Sequence, residues 1–140
     1  MEKLDIDYEH VVIDNNSTDN TQKYIREIAK TDKKFKAILN LKNFGHIKSP
    51  YYGLLQSNGD ATILMASDFQ DPIDLIPRYI DEWNKGSKIV LGEKINSDEN
   101  KIKFDLRQIF YKFLNYLSDI ELTKNTTGSG IFDKSVVSRL

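Results

Sequence analysis

Two carboxylates and a carboxamide, Asp68, Asp71 and Gln70, stand together at the end of ILMASDFQDP, residues 63–72. Oxygen donors with no thiolate or imidazole nearby are hard ligands, suited to Mg²⁺ or Mn²⁺. An ion held there would neutralise a bound diphosphate and stabilise the charge that builds up as it leaves. A plainer use competes for the same residues. Asp71 can cap a helix beginning at Ile73, with Pro72 in the first turn, whereas Asp68 is too far from that helix to cap it. A second polar cluster, DNNSTDNT at 14–21, carries Asp14, Asn15 and Ser17. These side chains can meet a nucleotide base or ribose, or can satisfy turn and cap hydrogen bonds. Gly45 in NFGH would let a backbone approach a phosphate and His46 could touch it, although a turn glycine and a loop histidine need no ligand.

The elements around these clusters alternate. Residues 10–13, HVVI, read as a short strand that stops at Asp14. A helical pattern follows, with Tyr24, Ile25, Ile28 and Ala29 at three- and four-residue spacing and Thr18 or Asp19 as its cap. Residues 35–41 read as a second strand and 50–56 as a short helix closed by Asn58-Gly59. Residues 61–66 are expected to be the central buried strand. A helix over 73–83 places Leu75, Ile76, Tyr79, Ile80 and Trp83 on one side and ends at Lys85-Gly86. Residues 89–91 give a fourth strand, 96–103 a charged loop, and Leu106, Ile109, Phe110, Phe113, Leu114 and Leu117 the stripe of an amphipathic helix. Alternation of this kind predicts an α/β domain with a mostly parallel sheet and helices on both faces. Ligands of such sheets bind at the carboxyl ends of the strands. The polar clusters at 14–17 and 68–70 are thus expected on one crevice.

Composition narrows the field. The 140 residues suffice for one domain. Twenty Lys and Arg against 21 Asp and Glu argue against a nucleic-acid binder held by bulk charge. With no Cys and two His, a disulfide framework and a thiolate or His-rich metal site are excluded. No apolar run approaches the roughly 20 residues needed to cross a bilayer, and Met1-Glu2-Lys3 does not open a signal peptide. A cytoplasmic domain is the expectation.

Seven segments in register, VVIDNNSTDNT, LKNFGH, YYGLLQSNGDATILMASDFQDPIDLIP, WNKG, IVLGEK, FYKFLNYLSDIE and TGSGIFDKSVV, resemble the inverting glycosyltransferases of family 2 with a GT-A fold. Within them the chain looks most like the branch of dolichyl-phosphate mannosyltransferase and the undecaprenyl-phosphate glycosyltransferases. The resemblance implies a nucleoside-diphosphate sugar donor, Mg²⁺ or Mn²⁺, and a polyprenyl phosphate acceptor at the inner membrane surface. It places Asp14, Asn15 and Ser17 with the nucleoside, Asp68 and Gln70 with the metal and diphosphate, and Lys94 and Arg107 with phosphates. Ala66 stands where many relatives begin Asp-x-Asp, Asn15 where they carry the second Asp of Asp-Asp-Gly-Ser, and Gly128 where several carry an Asp. Residues 1–140 match a partial catalytic domain lacking the family's first strand, which leaves an association-prone edge. Two alternatives go with it: a family 2 enzyme acting on a polysaccharide, and an inactive remnant. The stripe at 106–117, aromatic on several sides, is expected to touch the bilayer interface.

Overall fold

The computed structural model describes residues 6–68, 71–93 and 126–140. In chain order the elements are β1 His10–Asp14, α1 Thr21–Thr31, β2 Phe35–Leu39, α2 Gly45–Leu55, β3 Ala61–Leu64, α3 Leu75–Asn84, β4 Ile89–Glu93, β5 Thr126–Asp133 and a one-turn α4, Lys134–Val137. The expected loop at 96–103 and helix over 106–117 lie outside the described residues.

β1 and β2 pair in parallel, from His10 beside Phe35 to Asp14 beside Leu39. The other strands form a separate sheet in the order β3-β5-β4, with β5 antiparallel to both neighbours. β3 and β4 therefore run the same way, and only β5 is reversed. Among the described strands, β1 and β3 are each paired on one side only. Glu9, just ahead of β1, accepts a hydrogen bond from the backbone N–H of Asn58, just ahead of β3. The two strands thus begin side by side, and α2 packs against both. At Gly53 the approach of α2 to β1 is so close that a Cβ would sit 2.0 Å from Ile13 Cδ1.

Burial differs from the expectation. Every residue of β3 is half-exposed, whereas Ser129, Gly130 and Ile131 of β5 are buried. Among the described strands, the one at 61–64, expected to be buried, has one partner and is half-exposed, whereas β5 has two partners and carries the buried residues. Gly130 is needed there, since a Cβ would lie 2.4 Å from the carbonyl oxygen of Val90. Among the described residues the buried apolar side chains are Ile25, Leu54, Tyr79 and Ile131. Tyr24 and Ile28 of the α1 stripe stay exposed among the described residues.

Helix starts also shift. α1 is preceded by Asn20 rather than capped by Thr18 or Asp19, although Asp19 Oδ1 accepts from the N–H of Thr21 at 2.9 Å. α2 begins at Gly45, whose φ of +85° reverses the chain, and carries Pro50 in its interior. Proline suits a first turn, so the residue pattern hid the five residues before it. α3 begins at Leu75 after Asp74, with no side-chain cap. Asp71 therefore does not serve as its cap; it is buried and has no hydrogen-bond partner among the described residues.

Candidate functional site

The carboxyl ends of β1 and β2 are sewn together by short polar side chains. Asn15 sits at the centre. Its Oδ1 accepts from the N–H of Phe44 at 2.9 Å and from Asn40 Nδ2 at 3.2 Å. Its Nδ2 donates to Asn43 Oδ1 at 2.8 Å and to the carbonyl of Gly45 at 3.2 Å. Asn40 Nδ2 reaches Ser49 Oγ at 2.9 Å, and Asn43 Oδ1 also accepts from the N–H of Gly45 at 2.8 Å. The amide of Asn15 uses both of its faces, two acceptor contacts and two donor contacts. A carboxylate could not donate to Asn43 or Gly45. A carboxamide at position 15 therefore suits these four partners.

Asp14 is buried and faces inward. One oxygen accepts from Gln22 Nε2 at 2.7 Å, and the backbone N–H of Ser17 donates to the carboxylate at 3.0 Å. Burial pushes its pKa up, but the hydrogen bonds from Ser17 and Gln22 outweigh this and hold it below the ordinary value of 3.8. The turn that Asp14 braces contains Asn16 at φ 67°, a left-handed conformation that Asn tolerates better than most residues. DNNS thus folds as the Asx-braced turn that its composition allowed, and it presents Asn16 and Ser17 to solvent.

Asp68 lies in the turn after β3 and is exposed, like Ala66 and Ser67. Gln70, Lys94 and Arg107 lie outside the described residues. The structure brings Asp14, Asn15 and Ser17 together with the 40–45 loop through Asn15, and His46 is exposed in the first turn of α2. It places Asp68 at the end of the other sheet. Among the described residues no three His, Cys, Asp or Glu side chains group as a metal cage. Asp68 presents an exposed carboxylate, an oxygen donor of the kind hard cations accept.

A second polar cluster escaped the sequence reading. Tyr79 Oη lies 2.9 Å from Ser129 Oγ, which lies 2.8 Å from Thr127 Oγ1. All three hydroxyls crowd Gly92, where a Cβ would meet Tyr79 Oη at 2.5 Å. Gly128, between Thr127 and Ser129, takes φ +84° and faces open space. The signal was the small, polar TTGSG run, which reads as a loop until β3 and β4 are seen on either side. Below it, Asp133 accepts from the N–H and Oγ of Ser135, from Trp83 Nε1 at 2.9 Å and from Lys88 Nζ at 3.0 Å. These contacts hold its pKa well below the carboxylate range.

In α/β layers of this kind ligands bind beside the polar loops at the carboxyl ends of the strands. Residues 3–140 match the model of glycosyl transferase family 2, and the chain belongs to that family. The described α/β arrangement agrees with the GT-A fold expected from the resemblance. The chain is 31% identical over 133 residues to a bactoprenol glucosyl transferase of Shigella phage SfX, covering 94% of this chain and 44% of the relative. It is 30% identical to a prophage bactoprenol glucosyl transferase homolog of Escherichia coli K12, with the same coverage. An uncharacterized glycosyltransferase of Synechocystis is 28% identical, over 98% of this chain and 43% of the relative. The chain thus spans less than half the length of these relatives. No described helix is long and apolar enough to cross a membrane.

Proposed function

We propose that this chain forms the donor-binding part of an enzyme that transfers a sugar from a nucleoside diphosphate to a polyprenyl phosphate at a membrane surface. The observation that carries this reading is the family match over 3–140 together with relatives named as bactoprenol glucosyl transferases. The geometry supports it: β1 and β3 start side by side at Glu9 and Asn58, so the turns at 14–17 and 66–68 lie toward the opposite ends of those strands. In this reading the braced DNNS turn offers Ser17 and Asn16 to the nucleoside, with Asp14 and Asn15 acting as its frame. Lys94 and Arg107 contact phosphates, and Asp68 and Gln70 hold the diphosphate through Mg²⁺ or Mn²⁺. When bound, that cation supplies positive charge to the departing diphosphate.

One oxygen of the acceptor phosphate attacks the anomeric carbon from the face opposite the diphosphate. As the new C–O bond forms, the bond to the leaving oxygen breaks and its electron pair stays with the nucleoside diphosphate, inverting the centre. No strong base is required, because the second ionisation of a phosphate monoester falls near pH ~6. Positioning and charge stabilisation supply much of the rate. Transfer of labelled sugar to polyprenyl phosphate tests the reading: Asp68→Asn should lower it at least about 100-fold, a typical loss for a charge-stabilising group. Undiminished transfer would remove Asp68 from the site. Calorimetric titration with a nucleoside diphosphate and Mn²⁺ gives an independent readout, and absence of heat would favour a remnant without donor binding.

A further inference from the structure

α2 is turned inside out relative to an ordinary surface helix. Its inner side is small or sparse: Ser49, Gly53 and Leu54 are buried against the sheets. Its outer side carries Ile47, Tyr51, Tyr52 and Leu55, with Phe44 just ahead of the helix and Leu41 in the preceding loop, all exposed. At about 100° per residue, Ile47, Tyr51, Phe44, Leu55, Lys48 and Tyr52 fall in that order within an arc of about 140°. Ser49 and Gly53 occupy the opposite side, and Leu54 borders the arc next to Ile47. Ile47 is 72% exposed and Leu41 97%. A soluble helix normally places polar residues there, and an aliphatic and aromatic patch rimmed by polar groups marks an interaction surface.

The charges around the patch identify the partner. Asp and Glu make up 21 of the 140 residues, yet none occurs from Asn40 to Gly59, a stretch that holds Lys42, Lys48 and His46. Lys42 Nζ rests 5.2 Å from the centre of the Phe44 ring. Lys48, inside the apolar arc, has no ion-pair partner among the described residues. A cleft of about 240 Å³ opens beside it, lined by Phe44, Tyr52, Asn40 and Ser49. We infer that this face docks on the surface of an anionic phospholipid bilayer, with Ile47, Leu41 and Leu55 in the acyl boundary, Tyr51 and Tyr52 at headgroup level, and Lys48 on a lipid phosphate at the cleft. Tyrosines and snorkelling lysines suit that boundary layer. A second copy of the chain fits less well, because the 40–59 stretch would bring Lys42 and Lys48 of both copies to the contact with no Asp or Glu of its own to pair them.

The inference needs neither sugar donor nor transfer, so its failure would leave the proposed activity standing. Flotation of the 140-residue chain with phosphatidylcholine vesicles, with and without phosphatidylglycerol, tests it. Recovery with the anionic vesicles only, decreasing with added salt, is expected. Ile47→Gln should weaken that binding about tenfold, the equivalent of burying one aliphatic side chain. Lys48→Glu should abolish the preference for anionic lipid. Both positions are exposed, so the unfolding midpoint of each variant should match the parent. Equal recovery with both vesicle types, recovery with neither, or unchanged binding of the two variants would overturn the inference. A dimer in solution that Ile47→Gln dissociates would instead make the face a protein interface.

Discussion

The β1-β2 layer and the β3-β5-β4 sheet hold themselves together by different means. The first is a two-stranded parallel ribbon with little side-chain burial, Ile25 on α1 and Leu54 on α2. Its definition comes from its carboxyl end, where Asn15, Asn40 and Asn43 exchange hydrogen bonds between two loops. The second has a true interior strand: Ile131 is 2% exposed between two neighbours, and Asp133 ties β5 to α3 and to the residue preceding β4. Among the described residues the ribbon has one ladder and few buried apolar side chains, so its loop chemistry counts for more than in the three-stranded sheet. The half on which the nucleoside reading rests is therefore the half held by polar geometry, and changes of a single atom type should register there.

Substitutions can break this contrast. The largest effect belongs to Ile131→Ala, which leaves a cavity beneath β5 and should cost about 3–5 kcal/mol in urea unfolding. Ile25→Ala in the ribbon should cost nearer 2 kcal/mol, at the low end of the same range. Equal losses would mean that the two layers share one core. Asn15→Asp comes next. It removes two donors and points a carboxylate at the carbonyl of Gly45 and at Asn43 Oδ1, at a cost of about 1–2 kcal/mol. If this variant is as stable as the parent, the carboxamide network does not define the ribbon's end.

Acid unfolding offers a subtler comparison. Asp14 and Asp133 both have folded-state pKa values below the ordinary 3.8. A depressed carboxyl pKa stabilises the fold above the unfolded value, and that stability is lost as pH falls from about 4 through the folded pKa. Stability should therefore decline below pH ~4, and the decline should be shallower in Asp14→Asn and in Asp133→Asn. The Asp133 variant should be the flatter, because its donors include Lys88 as well as Trp83 and Ser135. A thermal-midpoint profile from pH 2 to 7 measures both, and identical slopes in parent and variants would remove these carboxylates as the acid-sensitive groups.

Much of the α/β alternation was legible, because strand runs such as HVVI and the stripe of 73–83 announce their period within a few residues. β5 was not. TTGSGIFD has two glycines and a polar start, and it becomes a core strand only because β3 and β4 flank it and leave no room for a Cβ at Gly130. The start of α2 was hidden by Pro50. At the site, the composition of DNNS foretold a turn at a strand end, but the partners of Asn15 lie 25 to 30 residues away. No local pattern reveals that its amide must donate. For Asp71 the proximity of Pro72 offered capping as one of two readings, and the first turn of α3 does not use it.

The smallest predicted effect bears on the ribbon's exposed stripe. Tyr24, Ile25, Ile28 and Ala29 form one helical pattern, yet only Ile25 is buried, and Ile28 is 46% exposed. If nothing else covers α1, Ile28→Gln should change stability by no more than about 0.5 kcal/mol, as surface replacements usually do. A loss near 2 kcal/mol, measured on the same chain, would show that Ile28 is removed from water by an apolar contact. Both layers would then be buried to a similar degree, and the polar loops would no longer be the ribbon's main support.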